Sequence, residues 1–289
     1  MNIQWYPGHM AKARKKITEE LKLVDIVIEL LDARIPISSR NPDVDAIVGN
    51  KKRMIVLNKS DLADENINKQ WKDYFSQKGI GAIFVNSLKG NGLRDVLTES
   101  KKLMKVDLER LRKKGILRKT VRALVIGIPN VGKSSFINRM ANRSIAQTGD
   151  KPGVTKSKQW IKINEGFELL DTPGILWPKF DDEITAQNLA FTGAIKDEIL
   201  DINELAKKFI LKALDDFPDK FSNRYGIQID KEYSIDEIIS FIGKKRGCIL
   251  TGGEIDINRV SYIIMDDFRS SKMGRISLES PVSMLEKGN

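Results

Sequence analysis

The chain has 289 residues, 41% of them apolar and 30% charged, with a net charge of +10 at neutral pH; that length accommodates one large domain and a smaller one, and that composition excludes a disordered chain. One cysteine, Cys248, and one histidine, His9, exclude an internal disulfide and a Cys/His metal cluster, so any metal must be held by oxygens. No segment approaches the ~20 apolar residues of a membrane span, and the basic opening MNIQWYPGHMAKARKK has no signal-peptide run behind it, so a cytoplasmic protein with no membrane partner is expected.

In chain order, a basic amphipathic helix is expected from about His9 to Leu23, followed by the apolar, β-rich run VDIVIELLDAR and a turn marked by Pro36 and Pro42. RMIVLNK, a polar helix to about Lys78, GAIFVNS and a helix to about Lys105 alternate as in a mainly parallel α/β sheet. A basic helical connector leads to the strand VRALVIGIP, a glycine-bearing loop and the helix GKSSFINRMA; QWIKI and FELLD then read as a hairpin ending at DTPG. Beyond Trp177 and Pro178 the pattern turns helical and acidic, which predicts an α/β domain over residues 1–178 and a smaller all-α domain over 179–289. Of the 49 Lys and Arg residues, 34 lie within residues 1–180, while 181–289 is net acidic. A polyanionic partner is therefore expected at the first domain, densest at residues 101–122, although a solvated helix face explains such a run equally well.

Residues 127–134, GIPNVGKS, fit the phosphate-loop pattern GxxxxGK[ST] and stand after a strand and at the start of a helix, where that mechanism needs them. Backbone N–H groups from Asn130, Val131, Gly132, Lys133, Ser134 and Ser135 are expected around the phosphates, Lys133 at the β/γ oxygens, and the Ser134 hydroxyl on Mg²⁺. Asp171, ending the hairpin, is placed in the Mg²⁺ shell, the Gly174 N–H at the γ-phosphate, and Thr155 in KPGVTK as the second hydroxyl on Mg²⁺. Asn58-Lys59-Ser60-Asp61 follows a strand: Asp61 can accept from guanine's N1–H and 2-amino group, a donor pair adenine lacks. Asn58 is expected to tie the base loop to the phosphate loop, Lys59 to lie over the base plane, and Ser87 in NSLKG to present backbone to the guanine oxygen.

NKSD, SLKG, GIPNVGKSS, PGVTK and DTPG resemble the five guanine-nucleotide motifs of the TRAFAC GTPases, with the base-binding pair first in the chain, which means circular permutation. WYPGHMAKA, DARIPISSRNP and the helical tail narrow the resemblance to the YlqF/RbgA family across essentially the whole chain. It implies a circularly permuted P-loop GTPase acting in late assembly of the large ribosomal subunit, contacting ribosomal RNA through both domains, with no DNA partner. Arg246, Arg269, Lys272 and Arg275, with Lys244 and Lys245, are the tail-domain cations such contact would use, against an equally plain solvated surface. Where Ras-type GTPases place a water-orienting glutamine, this chain has Ile175; the resemblance assigns that task to His9, and it matches Asn130 to the asparagine of potassium-activated GTPases. Two rival readings stay open at this level: a GTP-gated RNA-binding sensor with negligible turnover, which Ile175 keeps open, and a GTPase acting on transfer RNA or a protein.

Overall fold

The computed structural model describes residues 15, 17–116, 119–141, 159–171 (backbone alone at Gln159 and Asp171), 182–227 and 233–282. Two compact units emerge, residues 1–183 with 277–289, and residues 184–276. The first carries β1 (Ile26–Asp32), α1 (Val44–Val48), β2 (Lys52–Asn58), α2 (Glu65–Gln77), β3 (Gly81–Phe84), α3 (Leu93–Lys113), β4 (Val121–Ile126), α4 (Lys133–Met140), β5 (Gln159–Asn164) and β6 (Phe167–Asp171).

The six strands form one sheet in the order β3-β2-β1-β4-β6-β5. All neighbours are parallel except the β5–β6 hairpin. Both faces are covered, so the strands read as continuous apolar runs, and β1 is buried along its whole length. On one face Val27, Leu124, Ile126 and Leu170 meet Ile17 and Leu21 of the N-terminal helical residues and Val44 and Val48 of α1, while Leu31, Ile55 and Leu57 meet Trp71 and Phe75 of α2. On the other, the alternate residue Met54 receives the Ser100 hydroxyl of α3. The chain adds β2 and β3 on one side of β1, then places β4 on the other. That reversal opens a crevice at the carboxyl ends of β1 and β4, where open α/β sheets bind ligands.

Two differences from the sequence reading stand out. The helix expected to about Lys105 and the basic helical connector expected after it form one unbroken helix, α3, through residue 113, with no helix-breaking residue before Gly115. Residues 277–282 group with the sheet rather than with the helices, so the helical unit ends at Ile276. Long-range polar contacts hold this return: the Leu278 N–H donates to the Arg34 carbonyl at 2.9 Å, and the Trp71 indole N–H to the Glu279 carbonyl at 3.3 Å.

The helical unit contains α5 (Glu183–Phe191, its first residue in the other unit), α6 (Ile202–Asp216), α7 (Pro218–Tyr225), α8 (Ile235–Arg246) and α9 (Ile257–Arg269). Phe209 is its centre, with ring centroids 5.4 Å from Phe191 and 4.8 Å from Phe268. Asp201, Ser234 and Asp256 cap α6, α8 and α9 through side-chain oxygens, satisfying N–H groups that have no partner inside a helix.

Candidate nucleotide site

β4 delivers the phosphate loop into the crevice. A Cβ at Gly127 would stand 2.6 Å from the Leu30 carbonyl oxygen, so only glycine lets the loop leave β4 this close to β1. Asn130 and Gly132 adopt positive φ, 58° and 97°, and a Cβ at Gly132 would meet the Asn58 amide at 2.5 Å. The Lys133 ammonium donates to the carbonyls of Gly127 and Ile128 at 2.9 and 2.8 Å, which lays it across the loop. Ser134 and Ser135 are half-buried in the first turn of α4, whose N-terminus presents N–H groups and a partial positive charge suited to phosphate. The Ser134 hydroxyl makes no hydrogen bond among the described residues, and this oxygen donor at the phosphate end of the loop fits a hard cation such as Mg²⁺.

β2 brings the base loop alongside. The buried Asn58 amide donates to the Val131 carbonyl at 2.8 Å, and its oxygen accepts from the Ser87 N–H at 3.2 Å and the Ser87 hydroxyl at 2.7 Å. One side chain thus fastens the phosphate loop, the loop after β2 and the loop after β3 to each other. The Ser87 N–H expected at guanine is engaged here instead, so Ser87 acts on the site through Asn58. Arg139 of α4 adds a second tie, donating to the Lys89 carbonyl at 3.0 Å. Lys59, with φ 57°, reaches the Asn130 carbonyl at 2.9 Å. Asp61 is exposed and has no partner among the described residues, leaving both carboxylate oxygens accessible to a donor pair. His9, Thr155, Gly174 and Ile175 lie outside the described residues, and Asp171 is described by its backbone alone, at the carboxyl end of β6.

Sequence reasoning missed the group that supports Lys59. Asp32, buried at the end of β1, takes two bonds from the Arg34 guanidinium at 2.9 and 2.7 Å and lies 3.0 Å from the Lys59 ammonium. Burial opposes its charge, but Arg34 and Lys59 outweigh burial and hold its carboxyl well below the usual range. DARIP was legible as a motif; its contact with NKSD required the register that pairs Asp32 with Asn58 across β1 and β2.

Outside the crevice, α3 exposes Arg94, Lys101, Lys105 and Arg112. At 100° per residue these fall within about 40° of one line, and 18 residues of helix extend about 27 Å. Two of the helix's four carboxylates pair outside this row, Glu99 with Lys102 and Asp107 with Lys52. In the helical unit several expected cations are held internally. Arg269 clamps Asp197 at 2.7 Å and the Ala190 and Phe191 carbonyls, Lys272 pairs with Asp266, and Arg246 approaches buried Asp267 at 3.7 Å. Lys244 and Lys245 remain exposed.

Residues 122–247 match the family model described as 50S ribosome-binding GTPase; the match opens within the phosphate-loop strand and leaves out Asn58–Asp61, as a permuted order requires. Ribosome biogenesis GTPase A of Bacillus licheniformis is 48% identical over 98% of this chain and 100% of its own, and that of Thermotoga maritima 33% identical over 96% and 95%. Among solved structures, a GDP-bound YlqF covers 92% of this chain and 99% of its own at 28% identity and a TM-score of 0.66. A GNP-bound YlqF from T. maritima covers 93% and 98% at 29% and 0.64. With a phosphate loop and a guanine motif interlocked through Asn58 in permuted order, and with relatives matching from end to end, the chain belongs to the ribosome biogenesis GTPase A (YlqF) family of circularly permuted GTPases.

Proposed function

We propose that this GTPase acts in the cytoplasm on the large ribosomal subunit precursor late in its assembly, gripping ribosomal RNA with the basic face of its GTPase unit and hydrolysing GTP on the particle. The observation that carries the nucleotide reading is the Asn58 interlock, which holds base and phosphate recognition in one rigid frame. Asp61 accepts from guanine's N1–H and 2-amino group; facing adenine it would be left without that donor pair, which supplies the selectivity. Lys59 lies over the base, and Asn130, Val131, Gly132, Lys133, Ser134 and Ser135 surround the phosphates, with the Gly174 N–H at the γ-phosphate. Ser134, Thr155 and Asp171 supply the oxygen side of a Mg²⁺ shell, and bound Mg²⁺ neutralises charge building on the phosphate oxygens.

For the chemical step, Ile175 offers no polar atom to orient water, and His9 takes that role. Asn130 is assigned to a K⁺ site that does the electrostatic work of an arginine finger. The RNA reading draws on the α3 row and on the concentration of basic residues in the first 180 positions. Co-sedimentation with purified large subunits tests the partner: binding that depends on whether GTP analogue or GDP is present supports it. Equal retention of the chain by transfer RNA, with none on subunits, would overturn it.

A further inference from the structure

The DARIPISSRNP segment has no assigned contact with the nucleotide, yet its polar side chains are deeply buried, with Asp32, Arg34, Ser38 and Ser39 exposed by only 3, 1, 4 and 0%. Its far end is anchored by Arg40, which pairs with buried Glu29 at 3.1 Å and with Asp45 at 2.7 Å. Its middle is held from the opposite end of the chain. The Glu279 carboxylate accepts from the Ile37 N–H at 2.8 Å, the Ser38 N–H at 3.0 Å and the Ser38 hydroxyl. The Leu278 N–H donates to the Arg34 carbonyl, and the Ser277 hydroxyl accepts from the N–H of Asp64, the cap of α2, at 3.1 Å. Residues 277–279 therefore grip both the loop after β1 and the helix that succeeds the base loop.

A continuous series of contacts connects this grip to the nucleotide site. Glu279 fixes the backbone of Ile37 and Ser38, and Leu278 fixes that of Arg34. Arg34 clamps Asp32, Asp32 holds the Lys59 ammonium, and Lys59 holds the Asn130 carbonyl of the phosphate loop. We infer that residues 277–279 form a clasp on the base side of the guanine-nucleotide site, with Glu279 as a positioning residue that sets Lys59 through Arg34 and Asp32. This rests on the proposed nucleotide-site reading. The clasp begins one residue after the helical unit ends at Ile276, so that unit has a covalent path to the nucleotide site through residue 277. A ligand that binds the helical unit and strains residue 277 weakens base-side affinity, and nucleotide reciprocally opposes that strain.

The test uses the full chain with Glu279→Gln, which turns one acceptor oxygen into an NH2 donor and removes the charge while keeping size, and Leu278→Pro, which removes the N–H to Arg34. Fluorescent GDP and a non-hydrolysable GTP analogue are titrated alongside hydrogen exchange at residues 35–40. The expected result is a Kd raised about tenfold for both nucleotides alike, faster exchange at Ile37 and Ser38, and a higher KM for GTP with unchanged kcat. A role confined to stability would lower the melting temperature and leave the Kd and the KM-to-kcat split where they were. Unchanged Kd with accelerated exchange overturns the clasp, as does unchanged exchange in both variants. Failure of the unsubstituted chain to bind guanine nucleotide would instead overturn the nucleotide-site reading, so the two failures are separable.

Discussion

Asn58 and Asp32 sit opposite each other at the ends of paired strands, and each carries a different burden. Asn58 leaves no polar atom idle: its amide serves the phosphate loop and its oxygen serves Ser87. Asn58→Ala would strand the Val131 carbonyl and two Ser87 donors, groups that each cost about 1–3 kcal/mol when buried unpaired. Affinity for GDP and GTP should fall together by about tenfold or more in a fluorescent-nucleotide titration, and an unchanged Kd would show that the interlock does not support binding. Asp32 is an electrostatic support. Its folded pKa lies below the 3.8 of an ordinary aspartate, so its contribution is complete above that value and is lost as pH falls through the folded pKa. Asp32→Asn leaves buried Arg34 without its counter-charge, at a cost of about 3–5 kcal/mol. The stability gap between the two chains in urea should be full at pH 7 and narrow steadily below about pH 4; a gap indifferent to pH would show that the charge is not its source.

At the scale of elements, β1, β2 and β4 were legible because each is an apolar run bounded by turn residues, and the loops after β2 and β4 were legible because glycine, lysine and aspartate fall at spacings with a chemical reason. α3 was half legible. Its buried stripe of Val96, Ser100 and Met104 is diluted by seven Lys and Arg residues over its 21 positions, so the helix looked shorter than it is. Those cations also supply the RNA prediction. Reversing Lys101 and Lys105 to Glu should weaken binding to ribosomal RNA at all sequences alike and reduce the slope of log K against log salt by roughly 1–2, with GTP affinity intact. An unaltered slope would return the row to a solvated helix face. In the helical unit, sequence could not tell a free arginine from a clamped one: Arg269 and Lys244 look alike until Asp197 and the α5 carbonyls are seen to hold the former.

At the scale of the whole molecule, permutation moves the base loop ahead of the phosphate loop in the chain. Cutting the chain before β1 leaves the sheet order unchanged and places the helical unit after β6 in the chain. The return of residues 277–279 escaped sequence reading for a physical reason: it depends on single long-range hydrogen bonds, such as Ile37 to Glu279, that leave no periodic trace. Two further outcomes belong here. His9→Ala should lose most of the particle-stimulated rate while keeping nucleotide affinity, and K⁺ should accelerate turnover over Na⁺ at equal ionic strength.

The most direct test of a ribosome-triggered GTPase is phosphate release from GTP in potassium buffer, with and without purified large ribosomal subunits. Slow release by the chain alone and a large stimulation by the subunits are expected. Tight GTP binding with no stimulation would contradict a GTPase triggered by the particle.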